Sequence, residues 1–597
     1  MKTFSLRFAP FLLLTLAWAL QGAKTEVQFA IWAGGTLAYC FFVASKKNLP
    51  ERDIAMVLVV LSLIFLTQLC SLDFQKSLFW SFELAVFVML WPSLQWEGIE
   101  SFATPRGILL FESLLAVSAI VTIRQMQQNI PTYGLLPINP NFNAAWMTAG
   151  AVFLTAKQIQ VAHGNLLQRG GEILLSLTLA LLVVFGHSRS GLIALLIGFG
   201  YIAWYSLPRK WFLITTAGAL GTLCLILNSW LLGRFGLLSA IGLRADRLQF
   251  WAIALRAVAC RPLTGYGLGN FEVAYNQFAF PVVDDIVRYA HTTAFAHNEF
   301  LQLLTEMGIP VGGFFILLLG SPFLAPIRPK HPWDLPAKTS LLALGAIAFV
   351  NPILHMPLLV YLGLLFASIL MQGRMKSAAP SFPFDLLSRL PARTLWACAL
   401  AGLFSLSGYF FISSIWSGRG QWKQIVHLNP YDGEAWHQLG SQEMDSSERI
   451  EAQRQAVHRS PYNLYFREAL AAELESSGLE SNYPLALQQY LQALVLCPTR
   501  AVDALAVGRL LLRAGDPLTA LAWFEKARGL EPHYWESDLW IARCYRASGQ
   551  REKAKFILRD LLIRHAETKV PSNLLGMSPY ERAILGFSEQ AVKRELK

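Results

Sequence analysis

The chain has 597 residues, of which 54% are hydrophobic and only 15% are charged, and its mean hydropathy is +0.41. Apolar runs of about 18 or more residues, long enough to cross a bilayer as a helix, recur along its first two thirds. This composition excludes an ordinary soluble globular protein and predicts an integral membrane protein with many spanning helices.

The net charge of +11 belongs to the apolar part of the chain. Residues 416–597 hold 23 Lys and Arg against 22 Asp and Glu, which leaves 27 basic and 17 acidic residues for residues 1–415. Basic membrane proteins usually owe such an excess to their cytoplasmic loops. We therefore expect no nucleic-acid partner.

Thirteen spanning helices are predicted from the apolar runs. They lie at residues 4–22, 27–45, 53–71, 77–95, 106–124, 142–162, 171–187, 190–207, 211–231, 297–323, 338–353, 355–372 and 394–415. The first also has the pattern of a secretory signal peptide, although an uncleaved helix is favoured. The eleventh and twelfth could instead form one bent hairpin, because "NPILHMP" leaves almost no loop between them.

The basic residues of the short loops set the orientation in the membrane. Sixteen lie in short loops on one side, and only Lys24, Lys76, Arg124 and Arg189 lie on the other. The positive-inside rule places the richer side in the cytoplasm. The one long loop, residues 232–296, then faces the periplasm or the cell exterior, and so does the tail. An even number of helices would move the tail to the cytoplasm.

The tail carries an internal repeat. Pro430, Pro461, Pro498 and Pro532 recur at intervals of 31, 37 and 34 residues, as "HLNPYD", "HRSPYN", "VLCPTR" and "GLEPHY". This pattern resembles tetratricopeptide repeats, which are paired antiparallel helices with a period of 34 residues. Such arrays are usually binding scaffolds, so the repeats are a candidate site for a protein partner and the chemistry is expected elsewhere.

The predicted fold is therefore all-α, a polytopic bundle of transmembrane helices followed by an α-solenoid. Residues 1–415 form the membrane domain, residues 416–570 the repeat domain and residues 571–597 a C-terminal tail.

Arg189, in "FGHSRSGLIALLIG", lies between two apolar runs at the outer membrane face. A charged residue at this depth is usually paired or functional, although one at a helix end can extend its side chain to the membrane surface. Position alone leaves both interpretations open.

The long loop contains "GLRADRLQFWAIALRAVACRPLTGYGLGN". Arg244 and Arg247 are one turn apart on a predicted amphipathic helix at the membrane interface. Each guanidinium can donate two parallel hydrogen bonds to phosphate oxygens, and contact with lipid head groups is the alternative. The glycines of "GYGLGN" match no nucleotide-binding motif and permit a tight turn close to a ligand or a helix.

A polar stripe marks the start of the tenth helix, "AHNEFLQLLTEMGIPVGG". At 100° per residue, five polar residues share a face about 120° wide, so this face contacts protein or water rather than lipid. They are Asn298, Glu299, Gln302, Thr305 and Glu306. His297 lies in the predicted first turn, where the helix N-terminus favours a neutral imidazole that can accept a proton. A helix cap or a buried hydrogen-bond donor is the alternative for this histidine.

Four motifs in this order resemble the O-antigen ligase and polymerase superfamily. They are "HSRSG", the R-x-x-x-W of Arg247 and Trp251, "RPLTGYGLGNF", and "AHNEFLQLLTEMGIPVGG". The resemblance covers residues 140–320, including "PINPNFNAA". It implies transfer of a glycan from an undecaprenyl-diphosphate carrier to an acceptor hydroxyl, on the extracytoplasmic face of a bacterial inner membrane. The acceptor is a lipid A core sugar in ligases, a second lipid-linked glycan in polymerases, and a protein side chain in O-oligosaccharyltransferases.

The resemblance also implies the site residues. Arg189, Arg247 and His297 are the predicted catalytic residues, the arginines stabilising the diphosphate and His297 acting as general base. The alternatives are that His297 binds the diphosphate as an imidazolium, and that Arg244 rather than Arg247 faces the ligand. The predicted substrate-binding residues are Arg244, Arg261, Asn298, Gln302 and His291, and His291 is the second candidate for the base. Direct attack opposite the leaving group would invert the anomeric carbon, and no cofactor or metal is expected. Asp284 and Asp285 would point to opposite sides of an extended segment, which disfavours a metal site.

Two non-enzymatic functions compete with this prediction. A polysaccharide transporter would need charged residues paired across several helices, or broken helices repeated in two halves. A membrane-anchored scaffold would leave the arginines and His297 without a purpose.

Overall fold

The described part of the chain is all-α in a computed structural model, and 78% of the described residues are helical. The structure describes residues 9–46, 51–97, 104–136, 139–161, 165–186, 188–212, 246–282, 285–329, 331–372, 392–442, 445–568, 570, 574 and 576–596. Within these ranges there are 25 α-helices and no strand.

Fourteen of these helices belong to the apolar part of the chain. They are α1 (Ala9–Ala19), α2 (Glu26–Lys46), α3 (Glu51–Leu69), α4 (Phe74–Glu97), α5 (Pro105–Gln127), α6 (Pro140–Gln160), α7 (Leu166–Phe185), α8 (Arg189–Ser206), α9 (Asp246–Cys260), α10 (Phe271–Gln277), α11 (Glu299–Leu324), α12 (Asp334–Ala348), α13 (Pro357–Met371) and α14 (Ala392–Gly418).

Six helices, α2, α4, α5, α7, α11 and α14, are long and apolar enough to cross a membrane. The helices α1, α3 and α13 are apolar but shorter. The all-α membrane fold is confirmed, but the count of thirteen spans is not, and most of the predicted ninth helix lies outside the described residues. The predicted eleventh and twelfth helices are separate, since a 3₁₀ turn at Ile353–His355 lies between α12 and α13.

The chain divides into two compact units. The first contains Met1–Cys70, Ser77–Leu268 and Phe295–Arg419, and the second contains Ser71–Lys76, Gly269–Ala294 and Gly420–Lys597. In the first unit α6 is the central helix, buried along almost its whole length against α7, α8 and α12. Its many small residues allow this, because neighbouring helices can then approach closely.

The helix α11 is broken near its middle. Gly308 has φ 73° and ψ 172°, which is not helical, and the turn of "GYGLGN" packs against this break. The amide of Tyr266 donates to the carbonyl oxygen of Thr305 at 3.0 Å. A Cβ atom on Gly308 would lie 2.5 Å from the carbonyl oxygen of Leu263. Of the two predicted neighbours of this turn, a ligand or a helix, the structure shows the helix.

Eleven helices follow in the second unit. They are α15 (Trp422–Leu428), α16 (Gly433–Gly440), α17 (Ser446–Arg459), α18 (Leu464–Ser476), α19 (Tyr483–Leu496), α20 (Ala501–Arg513), α21 (Pro517–Leu530), α22 (Trp535–Ala547), α23 (Arg551–Glu567), α24 (Pro579–Leu585) and α25 (Glu589–Leu596).

The helices α16 to α23 form four antiparallel pairs, and each of the four recurring prolines lies in the connection that precedes a pair. Ala520 and Ala527 are fully buried, which fits the close approach predicted for these positions. The C-terminal segment folds onto the array, since Tyr580 and Val592 are buried in its apolar cores.

Candidate functional site

His297 lies in the turn that leads into α11, two residues before the first helical residue. Its φ of 53° is left-handed, an uncommon conformation for a residue with a side chain. Asn298 is the N-cap, and its side chain accepts hydrogen bonds from the amides of Phe300 and Leu301, both at 3.0 Å. The prediction that His297 belongs to the first helical turn is therefore wrong, because the cap comes after it.

The polar stripe of α11 supports this turn. Gln302 accepts a hydrogen bond from the amide of Ala296 at 2.6 Å and donates one to Glu306 at 2.6 Å. All five residues of the predicted stripe are buried, so it faces protein as predicted. Phe250 of α9 stacks on the imidazole of His297, with 5.6 Å between the ring centroids and 26° between the planes. Backbone and side chain of His297 are thus both held in place.

The imidazole of His297 is neutral at ordinary pH. Burial, and secondly the charge of Arg247, lower the pKa of His297 from 6.5 to about 4. The Nδ1 atom is shielded from solvent and has no hydrogen-bond partner among the described residues. The sequence predicted a neutral imidazole through the helix dipole, but the structure gives burial and Arg247 as the causes.

Arg247 lies in the first turn of α9, a helix that packs against α11. It is half-buried, and burial followed by the charge of Arg189 lowers the pKa of its guanidinium. Arg189 and Arg247 are therefore close enough to repel each other, and Arg247 acts in the same way on His297. All three predicted catalytic residues belong to the first unit, and Arg247 lies within electrostatic range of the other two.

Arg189 is exposed and is the first residue of α8. The hydroxyls of Ser188 and Ser190, on either side of it, donate to Oδ1 of Asn141 at 2.8 and 3.3 Å. Asn141 belongs to "PINPNFNAA" and also donates to Oδ1 of Asn351 at 3.2 Å. These hydrogen bonds join two motifs whose bonded residues are 47 and 49 positions apart in the sequence. Because a helix N-terminus carries partial positive charge, Arg189 and α8 together favour an anion.

A buried charged cluster next to the His297 turn was missed by the sequence analysis. Glu299 accepts a hydrogen bond from the amide of Leu354 at 2.6 Å, and its other oxygen lies 3.5 Å from Nδ1 of His355. The ammonium of Lys24 donates to the carbonyl oxygen of His355 at 2.7 Å. Glu83 is buried too, and one of its oxygens has no hydrogen-bond partner among the described residues. Two features of the sequence could have indicated this cluster. Glu83 is a charged residue within a spanning helix, and Lys24 lies on the side of the membrane where the short loops have few basic residues.

The other predicted binding residues are dispersed. Arg261 lies over the ring of Tyr266, with 5.5 Å from its guanidinium carbon to the ring centroid. His291 belongs to the second unit, where its Nε2 lies 2.7 Å from Oδ2 of Asp285. Arg244 and Asp284 lie outside the described residues.

The arrangement in the first unit suits the binding of an anion beside a neutral base. Two guanidinium groups that repel each other gain stability when a negative group lies between them, since charge-assisted hydrogen bonds to phosphate are strong. The neutral imidazole of His297, near Arg247, can accept a proton from a neutral hydroxyl. Across the described part of the chain, no three His, Cys, Asp or Glu residues gather as a metal site would require.

Comparisons with known proteins agree with both predicted families. A family model for O-antigen ligase matches residues 174–316, a range that includes Arg189, Arg247 and His297, and a tetratricopeptide-repeat model matches residues 511–575. Two crystal structures of MamA are 17% identical, with TM-scores of 0.24 and 0.25. These matches cover 26% and 28% of this chain, and 95% and 96% of the MamA chains. Comparison with the curated proteins finds no match.

Proposed function

We propose that the chain, an O-antigen ligase-like multi-pass membrane protein with a C-terminal tetratricopeptide-repeat domain, transfers a glycan from an undecaprenyl-diphosphate carrier to an acceptor hydroxyl. The family match supports a glycosyltransferase-like ligase. One observation carries the proposal: Arg189, Arg247 and His297 come from three separate motifs, yet Arg247 lies within electrostatic reach of both Arg189 and His297.

The arginines bind the diphosphate of the donor in this proposal. A glycosyl diphosphate already has a good leaving group, so the enzyme must mainly stabilise the negative charge that develops on its phosphates. Arg189, at the N-terminus of α8, and Arg247, on α9, supply this stabilisation. Each charge-assisted contact contributes about 1.5 to 3 kcal/mol.

His297 is the general base. The acceptor oxygen attacks the anomeric carbon, and the bond between that carbon and the diphosphate oxygen breaks, with its electron pair leaving on the diphosphate. The proton of the acceptor hydroxyl passes to His297, which is neutral because its pKa is lowered to about 4. A bound diphosphate offsets the charge of Arg247, so it raises this pKa and makes the imidazole a stronger base. Attack opposite the leaving group inverts the anomeric carbon and needs no metal.

The predicted substrate-binding residues differ in the contacts they can make with a substrate. Arg244 and Arg261 are further proposed contacts for phosphate. Asn298 and Gln302 border the site, but their side chains already bond within the protein. Their contribution is to hold the turn that contains His297.

The site and the repeats are proposed to lie on the extracytoplasmic side of a bacterial inner membrane. The division is residues 1–415 for the membrane domain, including the loop at 232–296, and residues 416–570 for the repeats. The composition of the second unit supports a common side, because it joins the repeats to 71–76 and 269–294, which the positive-inside rule places outside. Residues 571–597 remain a proposed C-terminal tail.

The test is mass spectrometry of surface glycoconjugates from cells with and without the gene. Loss of glycan from lipid A identifies a ligase, shortened chains identify a polymerase, and loss of a peptide-linked glycan identifies a protein transferase. Identical glycoconjugates in both strains would contradict the proposed function.

A further inference from the structure

The second unit contains a long insertion from the apolar part of the chain. Residues 269–294 leave the first unit after Leu268, group with the repeat array, and return at Phe295. Within this insertion the only described α-helix is α10, which has seven residues and contacts α19 of the array. Long segments with little secondary structure need other contacts to hold one conformation. The repeat array provides them.

Glu531 makes the central contact. Its carboxylate is fully buried and accepts hydrogen bonds from the amides of Arg288 and Tyr289, each at 2.8 Å. The hydroxyl of Tyr580 donates to the same carboxylate at 3.2 Å. Burial raises the pKa of Glu531, and these donors oppose the shift. One side chain of the array thus holds two successive backbone amides of the insertion.

The repeat fold itself does not require an acid at this position. Glu531 precedes the proline of "GLEPHY", and the corresponding residues of the other three repeats are Asn429, Ser460 and Cys497. None of these is charged, although all four turns have the same place in the array. The repeat pattern therefore does not explain the carboxylate at position 531, whereas its hydrogen bonds to the two backbone amides of the loop do.

Apolar contacts surround the carboxylate. Val287 is only 2% exposed and belongs to the apolar core of the repeat array. Ile286, Tyr289 and Ala290 pack against the same core. Burying an apolar side chain stabilises the folded state, so these contacts add to the hydrogen bonds. The insertion is seated through both its backbone and its side chains.

We propose that one surface of the repeat array, here named the loop seat, is a binding site for the chain's own loop at residues 269–294. The loop seat consists of Glu531, Tyr580 and the part of the apolar core into which Val287 packs. The repeat array holds the segment that leads, eight residues after Tyr289, into His297. The array is in this respect a working part of the transferase. A separate protein partner would bind at another surface, because this one is occupied.

The first test measures local opening of the loop. Trypsin cleaves after Arg288, and the next amide, that of Tyr289, is held by Glu531. In Glu531→Gln one of the two acceptor oxygens becomes a donor, so the loop opens more often. The full-length protein in detergent is digested and the fragments are identified by mass spectrometry. We expect cleavage after Arg288 to be about tenfold faster than in the wild type. Cleavage at the wild-type rate would overturn the proposal.

Matched variants separate this effect from general unfolding. Glu525→Gln changes an exposed glutamate of α21 and should leave the cleavage rate unchanged. If Glu531→Gln fails to fold, Val287→Ser probes the same seat from the loop side without altering the array. Faster cleavage in Val287→Ser supports the proposal, and an unchanged rate in that variant contradicts it.

A second test measures glycan transfer and depends on the proposed function. We expect Glu531→Gln to lower transfer several-fold in a protein whose repeat helices melt as in the wild type. Faster cleavage with unchanged transfer would remove the catalytic part of the proposal. If the wild type itself transfers nothing, the proposed function fails, and the cleavage test still decides whether the repeats bind the loop.

Discussion

His297 and Glu531 are titratable side chains in the two units, and their surroundings differ. Glu531 is fully buried and has three hydrogen-bond donors, so its polar groups are used within the protein. His297 has a shielded Nδ1 without a hydrogen-bond partner among the described residues, a left-handed backbone and the charge of Arg247 nearby. An unsatisfied buried polar group costs free energy, and it persists where function requires it. The contacts of Glu531 therefore support the fold, whereas the role proposed for His297 is chemical.

The largest predicted effect tests the catalytic role proposed for His297. His297→Ala removes the proposed general base, so transfer should fall by about 10² to 10⁴-fold. The protein should still fold into the membrane with only a modest fall in melting temperature, because the substitution removes the stacking on Phe250 but no hydrogen bond of Nδ1 to a described residue. Glycan transfer in isolated membranes and thermal unfolding of the purified protein give the two readouts.

The exposed His427 of α15 offers a matched control. His427→Ala should transfer at the wild-type rate. If His297→Ala transfers glycan within about twofold of the wild-type rate, His297 is not the general base. The proposed difference in role between His297 and Glu531 would then be wrong.

The next prediction concerns a residue of the first unit that supports the fold and takes no part in the proposed reaction. Gly308→Ala places a Cβ atom 2.5 Å from the carbonyl oxygen of Leu263, in a conformation with φ 73°. Strain at such a position costs about 1 to 3 kcal/mol before the clash is counted. The variant should lower the melting temperature and reduce transfer through loss of folded protein.

Gly313→Ala is the control on the same helix, because no atom lies within 4 Å of its added Cβ. Alanine is a better helix former than glycine by about 1 kcal/mol, so this variant should be as stable as wild type or more so. Equal stability of the two variants would show that the break in α11 is not required.

The smallest effect is a shift in the pH profile of glycan transfer. His297 must be neutral to accept a proton, so transfer falls as the pH drops through its pKa. The profile of kcat/KM reports the free enzyme and should lose activity near pH 4, given the lowered pKa of about 4. The profile of kcat reports the donor complex, where the diphosphate raises the pKa, so its acidic limb should lie at higher pH. Coincident limbs would argue against a diphosphate beside His297.

The sequence predicts candidate site residues because a motif depends only on which side chains occur and in which order along the chain. The motifs predict Arg189, Arg247 and His297 as site residues, and the burial of the polar stripe of α11 agrees with its prediction as a protein-facing surface. Helical phase could not place His297, since the cap at Asn298 changes the backbone before the helix starts.

Long-range pairs were beyond the sequence pattern. Glu531 and Arg288 are 243 positions apart, and Lys24 and His355 are 331 apart. No local periodicity connects such positions. The repeat prolines predicted the array, because they recur within one local unit, but nothing in that period indicated that one turn would bind the loop.

The most direct measurement uses the purified protein in vesicles with an undecaprenyl-diphosphate-linked glycan, the acceptor identified from the surface glycoconjugates, and excess chelator. The account predicts undiminished transfer by the wild type in chelator and at least about tenfold less by Arg247→Ala. Complete loss of wild-type transfer in chelator, or wild-type transfer by Arg247→Ala, would contradict it.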